Sequence, residues 1–308
     1  MNQVYLDTAR LMIQVAPLVF AGKLFALKGG TAINLFVRDM PRLSVDLDLV
    51  FIDHRLGRDE ALARIHEAMR SAVDRLSKRG FQTHTTTVPV AGETKLFVRR
   101  DKLEVKIEVN FVLRGTVHPI RSTSLTSKAK ETLLADLELP VVSLEDLYGG
   151  KLVAALDRQH PRDLFDVMEL FLHGGITPAI RRSFVVYLAS HNRPIHEVLF
   201  PKLRDISSEY ESTFKGMTME PVELKTLLSA RGRMIAELNG GLDAAEREFL
   251  LSLARNAPGW DLLGIEHLEQ LPGIRWKLEN LGRLAKTNPK KLYGQAHELE
   301  RLLGRTAT

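Results

Sequence analysis

The order of hydrophobic and polar positions predicts two parts of different character in this chain. Residues 3–20 carry apolar side chains near helical spacing, and the run LFAL at 24–27 suits a short strand. The segment VDLDLVFI at 45–52 alternates as a strand does, and residues 59–79 predict a second helix. Three further runs, at 81–88, 95–100 and 103–113, suggest an antiparallel meander.

From Ser143 onward the pattern is helical. Ser143 is suited to cap a helix over 144–158, and Pro161 begins another helix that the HGG stretch at 173–175 ends. The remaining sequence predicts helices separated by Pro and Gly. We therefore expect an α/β (α+β) protein in which a mixed-sheet domain, residues 1–175, precedes an all-helical domain, residues 176–308.

Two aspartates interrupt the strand predicted at 45–52. Asp46 and Asp48 are two residues apart, so both carboxylates point to the face opposite the apolar residues of the strand. Two like charges this close oppose burial unless a cation lies between them. Mg²⁺ prefers oxygen ligands and commonly takes one or two carboxylates together with substrate phosphates. The pattern therefore predicts a magnesium site.

A third acid follows from the same reasoning. Glu108 projects from the polar face of the run 103–113, and it would join the two aspartates if that strand pairs with 45–52. Three carboxylates on adjacent strands can hold two ions across a phosphoryl-transfer site. Gly29 and Gly30 would let backbone N–H groups approach phosphate oxygens, with Thr31 and Ser44 as hydroxyl donors.

Composition limits the class of protein. The chain has 308 residues, 44% of them hydrophobic and 26% charged, as in globular proteins. It has no cysteine, which excludes disulfides and thiolate metal sites and fits a reducing cytoplasm. No apolar run is long enough to cross a bilayer and no export signal is evident, so we expect a cytoplasmic protein without membrane contact.

Charge is unevenly distributed along the chain. The net charge is +5, and the segment 275–291 holds six basic residues against the single acid Glu279. This segment is a candidate surface for phosphates, and a solvated helix face is the alternative. No P-loop, HExxH or GxSxG motif occurs in the sequence.

The motifs taken together resemble the polymerase-beta-type nucleotidyltransferase superfamily. The resemblance rests on Gly29-Gly30-Thr31, a following helix, Arg42-x-Ser44-x-Asp46-x-Asp48 and the later strand acid. More narrowly, the sequence is similar to the AbiEii/AbiGii toxin family of toxin–antitoxin and phage abortive-infection systems. That similarity includes a lysine in one helix and an Arg-Asp-x-x-Asp motif in the next, present here as Lys151 and Arg162-Asp163-x-x-Asp166. It covers about residues 28–170.

The resemblance implies roles for particular residues. Asp46 and Asp48 would bind metal, Glu108 would be a third ligand or the base, and the polar residues around the glycines, including Arg42, would hold phosphates. Lys151 would contact the nucleotide phosphates. Three residues of the later motifs remain. Arg158 shares a helix face with Lys151. Asp163 is the acid of the last motif, and Asp166 is the final residue of the same Arg-Asp-x-x-Asp motif. An ion pair between Lys151 and Asp163 that organises two helices is the alternative.

The expected activity is a Mg²⁺-dependent transfer of a nucleoside monophosphate from an NTP to an acceptor hydroxyl. The family implies a bacterial toxin with a paired antitoxin, although direct contact between the two does not follow. The tRNA 3′ end is one expected acceptor, and the basic segment 275–291 would suit an RNA. The alternatives are transfer to a protein or small molecule, and a binding module without catalysis.

Overall fold

The computed structural model describes residues 3–88 and 93–305. Contacts divide the chain into two units, and the first ends at Ser143 but also includes the later segment Lys215–Pro221. The second comprises Leu144–Phe214 and the chain from Val222 onward. The sequence pattern had suggested a boundary near residue 175. The division falls earlier because the two helices that follow Ser143 pack against later helices, as described below.

The first unit contains all seven strands of the described chain. Its helices are α1 (Gln3–Phe20), α2 (Gly29–Thr31, continued by a π-helical turn Ala32–Val37), α3 (Arg58–Lys78) and α4 (Ser127–Leu133). Its strands are β1 (Phe25–Lys28), β2 (Leu47–Phe51), β3 (Gln82–Val88), β4 (Glu93–Arg100), β5 (Leu103–Asn110), β6 (Arg121–Ser124) and β7 (Glu138–Val141). They form one sheet in the order β3-β4-β5-β2-β1-β7-β6.

The sheet is mixed, as predicted. The predicted meander is confirmed, because β4 pairs antiparallel with both β3 and β5. The pairs β2–β5 and β1–β7 are parallel, and β1–β2 and β6–β7 are antiparallel. Strands β6 and β7 have four residues each and were not predicted, since their sequences RSTS and ELPV lack a strong alternation.

The two faces of the central strands differ in polarity. The apolar face is fully buried, with α1 lying against β5 and α3 against β3; its central residues are Leu47, Leu49, Leu96, Val98, Val105, Ile107 and Val109. The opposite face carries charged residues. In the strand register Asp48 lies beside Lys28 on β1 and Glu108 on β5, and Glu108 lies beside Lys95 on β4. The pairing of β2 with β5 that the sequence analysis required is therefore present.

A short segment from late in the sequence completes the first unit. Residues 215–221 run antiparallel to the stretch before β2, with a bridge between Arg42 and Thr218. The Leu43 N–H donates to the carbonyl of Met217 at 3.2 Å, and the Met219 N–H donates to the carbonyl of Pro41 at 2.9 Å. Met217 and Thr218 are buried. The loop that leads into the aspartates is therefore fixed by backbone hydrogen bonds to this segment.

The second unit is helical throughout its described residues, as the pattern predicted. Its helices are α5 (Leu144–Arg158), α6 (Pro161–Leu172), α7 (Pro178–Ala189), α8 (Ile195–Leu199), α9 (Ser207–Glu209, continued by a π-helical turn Tyr210–Phe214), α10 (Leu224–Gly241), α11 (Ala244–Ala254), α12 (Pro272–Thr287) and α13 (Pro289–Arg305), with two 3₁₀ turns at Trp260–Leu263 and Leu268–Gln270. None of the helices in the described chain is long and apolar enough to cross a membrane.

Close packing of α5 on α7 and of α6 on α10 places the first two helices in the second unit. The approach of α5 to α7 depends on Gly149. A Cβ at this position would lie 2.8 Å from the backbone nitrogen of Phe184. This would be a steric clash, and a backbone atom cannot avoid it by a change of rotamer. Helices 144–158 and 161–172 therefore belong with the later helices rather than with the sheet.

Candidate active site

The diglycine turn lies directly against the side chain of Asp48. Gly29 begins α2 with φ +75°, and a Cβ at this position would lie 2.1 Å from Asp48 Oδ2. At Gly30 a Cβ would lie 2.8 Å from Arg42 Nη2 and 3.1 Å from Ser44 Oγ. The absence of side chains at both glycines is therefore what lets the turn, Asp48 and the Arg42–Ser44 loop approach one another.

Thr31 fixes the backbone that carries Asp46. The side chain is fully buried, and its Oγ1 donates to the carbonyl oxygen of Asp46 at 2.5 Å and hydrogen-bonds Ser44 Oγ at 3.0 Å. The sequence analysis expected the Thr31 hydroxyl to contact phosphate. In the structure its bonds go to the protein, so Thr31 holds the loop in place and Ser44 is the better exposed of the two hydroxyls.

Asp48 and Glu108 lie side by side on the polar face of the sheet, Asp46 lies just before β2, and all three are partly exposed. Glu108 is held by two lysines, with Oε1 3.1 Å from Lys95 Nζ and Oε2 3.2 Å from Lys106 Nζ. Lys106 Nζ also lies 3.9 Å from Asp46 Oδ2. Partial burial raises the pKa of Glu108, but the two lysines more than offset it, so this pKa lies below its ordinary value.

The predicted metal set of Asp46, Asp48 and Glu108 stays a prediction. Within residues 3–88 and 93–305 no group of three or more His, Asp or Glu side chains is placed to hold a metal ion. Both oxygens of Glu108 are engaged by lysines. The two aspartates still suit a hard divalent ion, since they share one face beside a glycine cradle where phosphate oxygens can complete the coordination.

The second unit holds a buried charge cluster formed by α5 and α6. Lys151 Nζ lies 2.8 Å from Asp163 Oδ1 and 2.9 Å from Asp166 Oδ2, and Arg158 Nη2 lies 2.9 Å from Asp163 Oδ2. The Lys151 side chain is 7% exposed and that of Arg158 is 61% exposed. The predicted interhelical pair of Lys151 with Asp163 is therefore present. Asp166 is a second acceptor that the sequence analysis did not assign to Lys151.

Electrostatics keep the Asp163 carboxylate of this cluster ionised. Burial raises the pKa of Asp163, and Asp166 acts in the same direction, but Lys151 and Arg158 bring the pKa below its ordinary value. A lysine that is buried between two carboxylates stabilises the contact of the two helices, because removing it would take a buried cation away from both acids. Arg158 is the solvent-exposed member of the cluster.

The basic segment 275–291 is smaller as a surface than its sequence suggests. Lys277 is buried and donates to the carbonyls of His191 at 2.9 Å and Arg193 at 2.6 Å, and burial lowers its pKa to about 8. Arg283 pairs with Glu279 at 2.9 Å. The other basic residues are exposed, and they are Arg275, Lys286, Lys290 and Lys291. The inclusion of Lys277 in a phosphate-facing patch was wrong.

Sequence reasoning missed two lysines of the site. Lys95 and Lys28 lie in register with Glu108 and Asp48, on the strands next to them. The alternation of the run KLFVRR places Lys95 on the polar face, but only the strand order shows which acid it meets. In this row the two acids lie between two lysines, so the site has cations of its own that can attract phosphate groups.

A mixed sheet with a diglycine turn, an aspartate on β2 and another just before it, together with a second, helical unit, defines a nucleotidyltransferase-like protein. The sequence matches the family described as nucleotidyl transferase AbiEii toxin, type IV TA system, over residues 10–278. The chain belongs to this family. It is therefore a nucleotidyltransferase toxin of a type IV toxin–antitoxin system, which implies an NTP substrate and a paired antitoxin.

Comparison of the structure agrees with this class. The fold is similar to that of MenT4, a nucleotidyltransferase toxin from Mycobacterium tuberculosis H37Rv, with a TM-score of 0.58 and 17% sequence identity over 90% of this chain and 91% of that one. At this identity the likeness shows a shared fold. A search of curated protein sequences found no significant match.

Proposed function

We propose that this toxin transfers a nucleoside monophosphate from an NTP to an acceptor hydroxyl at the turn between Gly29 and Asp48. The acceptor oxygen forms a bond to the α-phosphorus. The bond between the α-phosphorus and the oxygen that bridges it to the β-phosphate breaks, and pyrophosphate leaves. The observation that supports this proposal most is the approach of the Asp48 carboxylate to a glycine that has no room for a Cβ. Such a cradle lets backbone N–H groups reach phosphate oxygens.

Mg²⁺ is the divalent ion that we propose for the site, with Asp46 and Asp48 as its protein ligands. When bound, it would neutralise phosphate charge and support the leaving pyrophosphate. The two aspartates supply the one or two carboxylates that Mg²⁺ usually takes from a protein, and the NTP phosphates supply further oxygens. A second ion, as in the two-ion arrangement expected from the sequence, would require Glu108 to exchange a lysine for the metal.

Glu108 is the proposed acceptor of the proton that the acceptor hydroxyl loses. It lies beside Asp48 in the sheet, and its lowered pKa keeps it ionised at neutral pH. The same lysines that keep it ionised make it a weak base, so its contribution to the rate is smaller than that of the aspartates. Lys95 and Lys106 are the proposed cations for phosphate charge in the first unit.

In the second unit we assign the two basic residues of the cluster to different tasks. Lys151 and Asp163 hold α5 against α6, because both are buried and paired. Arg158 is proposed as the phosphate contact, since its side chain is 61% exposed and one guanidinium nitrogen, Nη2, is anchored on Asp163. This assignment transfers to Arg158 the nucleotide contact that the sequence analysis gave first to Lys151.

The proposed acceptor is an RNA hydroxyl, with the tRNA 3′ end as the specific candidate. The exposed basic residues of α12 and of the start of α13 support an RNA, because they can contact phosphates while Tyr293, 73% exposed, offers a ring for a base. These surface residues are Arg275, Lys286, Lys290 and Lys291. Transfer to a protein and binding without transfer are the outcomes that would replace this proposal.

The test incubates the full-length toxin with each α-³²P-labelled NTP, Mg²⁺ and either total tRNA or RNA-free lysate protein. We expect label in tRNA with the wild type and with Asp101→Asn, which changes an exposed acid of the same unit. Asp48→Asn should abolish the label while its melting temperature stays close to that of the wild type. Label in protein would replace the RNA acceptor, and labelling by Asp48→Asn at the wild-type rate would refute the site.

A further inference from the structure

Arg114 lies in the segment that follows β5, at the end of the sheet away from Asp48. The Asn110 side chain fixes the start of this segment, because its Oδ1 accepts from the backbone N–H groups of Val112 and Leu113, both at 2.8 Å. The Gly115 N–H then donates to the carbonyl of Phe51, the last residue of β2, at 2.8 Å. The backbone on both sides of Arg114 is therefore held by hydrogen bonds.

The guanidinium of Arg114 is buried without a counter-charge. The residue is 6% exposed, and its Nε and Nη1 are buried and make no hydrogen bond. Among the described residues no carboxylate lies within ion-pair distance of it, and the charge that acts on it is a second cation, Arg58. Burial, and then Arg58, lower the pKa of Arg114 below its ordinary value, although arginine stays charged at neutral pH.

The surroundings of Arg114 are also positive. Arg58 is the first residue of the 21-residue helix α3, whose N-cap Gly57 has no side chain to cap the free N–H groups. The ring of Phe111, three residues before Arg114, lies 5.6 Å from that of His66 on α3, so the segment packs on this helix. Of the two acids in the first turn of α3, Glu60 pairs with Arg64 and Asp59 is exposed.

We propose that Arg114 and Arg58 form a binding site for a phosphate group at the carboxyl ends of β2 and β5. An uncompensated buried cation is costly, and an anion removes that cost whereas a water molecule satisfies only the N–H groups. A guanidinium matches the oxygens of a phosphate, and a second arginine and a helix N-terminus favour the same charge. The site is separate from Asp46 and Asp48, and it does not depend on the proposed reaction.

The phosphate group has two possible sources, a small phosphorylated molecule or the backbone of an RNA. The first test measures the melting temperature of the full-length protein in inorganic phosphate at constant ionic strength, with EDTA and without NTP. It uses the Asp48→Asn background, in which the catalytic turn has lost a metal ligand. Variants are Arg114→Met, Arg114→Lys and the control Arg121→Met, which removes an exposed arginine of the same unit.

Phosphate should raise the melting temperature of the parent and of Arg121→Met by about 2 °C once its concentration is several times Kd. Arg114→Met should melt at or above the parent temperature without phosphate, because it removes an unpaired buried charge, and should lose the phosphate response. Arg114→Lys should retain part of it. A response that is unchanged in Arg114→Met, or absent from the parent, would overturn the proposal.

The second test separates the two sources. It follows the fluorescence anisotropy of a labelled 12-nucleotide single-stranded RNA over a range of salt concentrations. If an RNA backbone supplies the phosphate, Arg114→Met should weaken binding and reduce the salt dependence by about one phosphate contact relative to Arg121→Met. If RNA binding is equal in the two variants while the thermal response still depends on Arg114, the ligand is a small phosphorylated molecule.

Discussion

Replacing Gly29 with alanine tests the contact on which the active site depends. The substitution has two separable effects. The first is backbone strain, since φ is +75° and an L-residue in the left-handed region costs about 1 to 2 kcal/mol. The second is a clash, since the new Cβ would lie 2.1 Å from Asp48 Oδ2.

The clash decides the effect on activity. Non-bonded Cβ contacts shorter than 3.0 Å are essentially never seen, so the carboxylate of Asp48 has to move by about 1 Å. A displacement of this size at a reacting centre costs roughly 100-fold in rate. We therefore expect Gly29→Ala to lower kcat/KM for nucleotidyl transfer about 100-fold, while the strain lowers the melting temperature by roughly 2 to 6 °C.

Gly80→Ala is the matched control. Gly80 has φ +76°, nearly the value at Gly29, but a Cβ there meets nothing within 4 Å. Its melting temperature should fall as in Gly29→Ala, and its activity should stay within about twofold of the wild type. Activity is measured as transfer of label from the preferred NTP, and stability by differential scanning fluorimetry. Equal activity in the two variants would show that the position of Asp48 does not matter for transfer.

Three further predictions concern the charged residues. Glu108→Gln should lower kcat by about 100-fold, less than Asp48→Asn does, and an equal loss in rapid-quench assays would contradict a weak base. Lys151→Met should lower the unfolding free energy by about 3 to 5 kcal/mol, whereas Arg158→Ala should mainly raise KM for NTP. A higher KM in Lys151→Met together with a lower unfolding free energy in Arg158→Ala would exchange the two roles. The pKa of Lys277 is about 8 in the folded state and 10.5 ordinarily. Between pH 8 and pH 10.5 the unfolded chain therefore binds more protons than the folded chain. The unfolding free energy should rise with pH in this range, by at most about 3 kcal/mol. Urea unfolding at pH 7.5 and 10 should show that rise in the wild type and in Lys286→Met but not in Lys277→Met.

The strands of the site could be predicted because each has one buried and one polar face. Alternation alone placed Asp46 and Asp48 on one face and Glu108 on the polar face of β5, and the parallel pairing of β2 with β5 brings Asp48 into register with Glu108. Alternation does not give strand order. The lysine partners of Glu108 therefore could not be predicted from the sequence.

The burial of single charged residues was harder to predict, although the spacing of the apolar residues around them indicates it. Lys277 has Ile274 three residues before it and Leu281 four residues after it, and both are buried. Helical periodicity therefore places Lys277 on the apolar face of α12, although its charge suggested a surface position. In the same way Lys151 lies between the buried Tyr148 and Ala155. The number of basic residues in a segment therefore did not show which of them are exposed, whereas the helical period of the apolar residues does.

The pairing of residues 215–221 with the stretch before β2 has a consequence for the timing of folding. The partner of Arg42 in this ladder, Thr218, is synthesised about 180 residues later. At ordinary rates of translation this delay is about 10 to 35 s. During that interval the nascent chain already contains the aspartates, but the loop that leads to them lacks its backbone partner. A truncated product that stops before Lys215 would keep every candidate catalytic residue and still lack an ordered approach to the carboxylates.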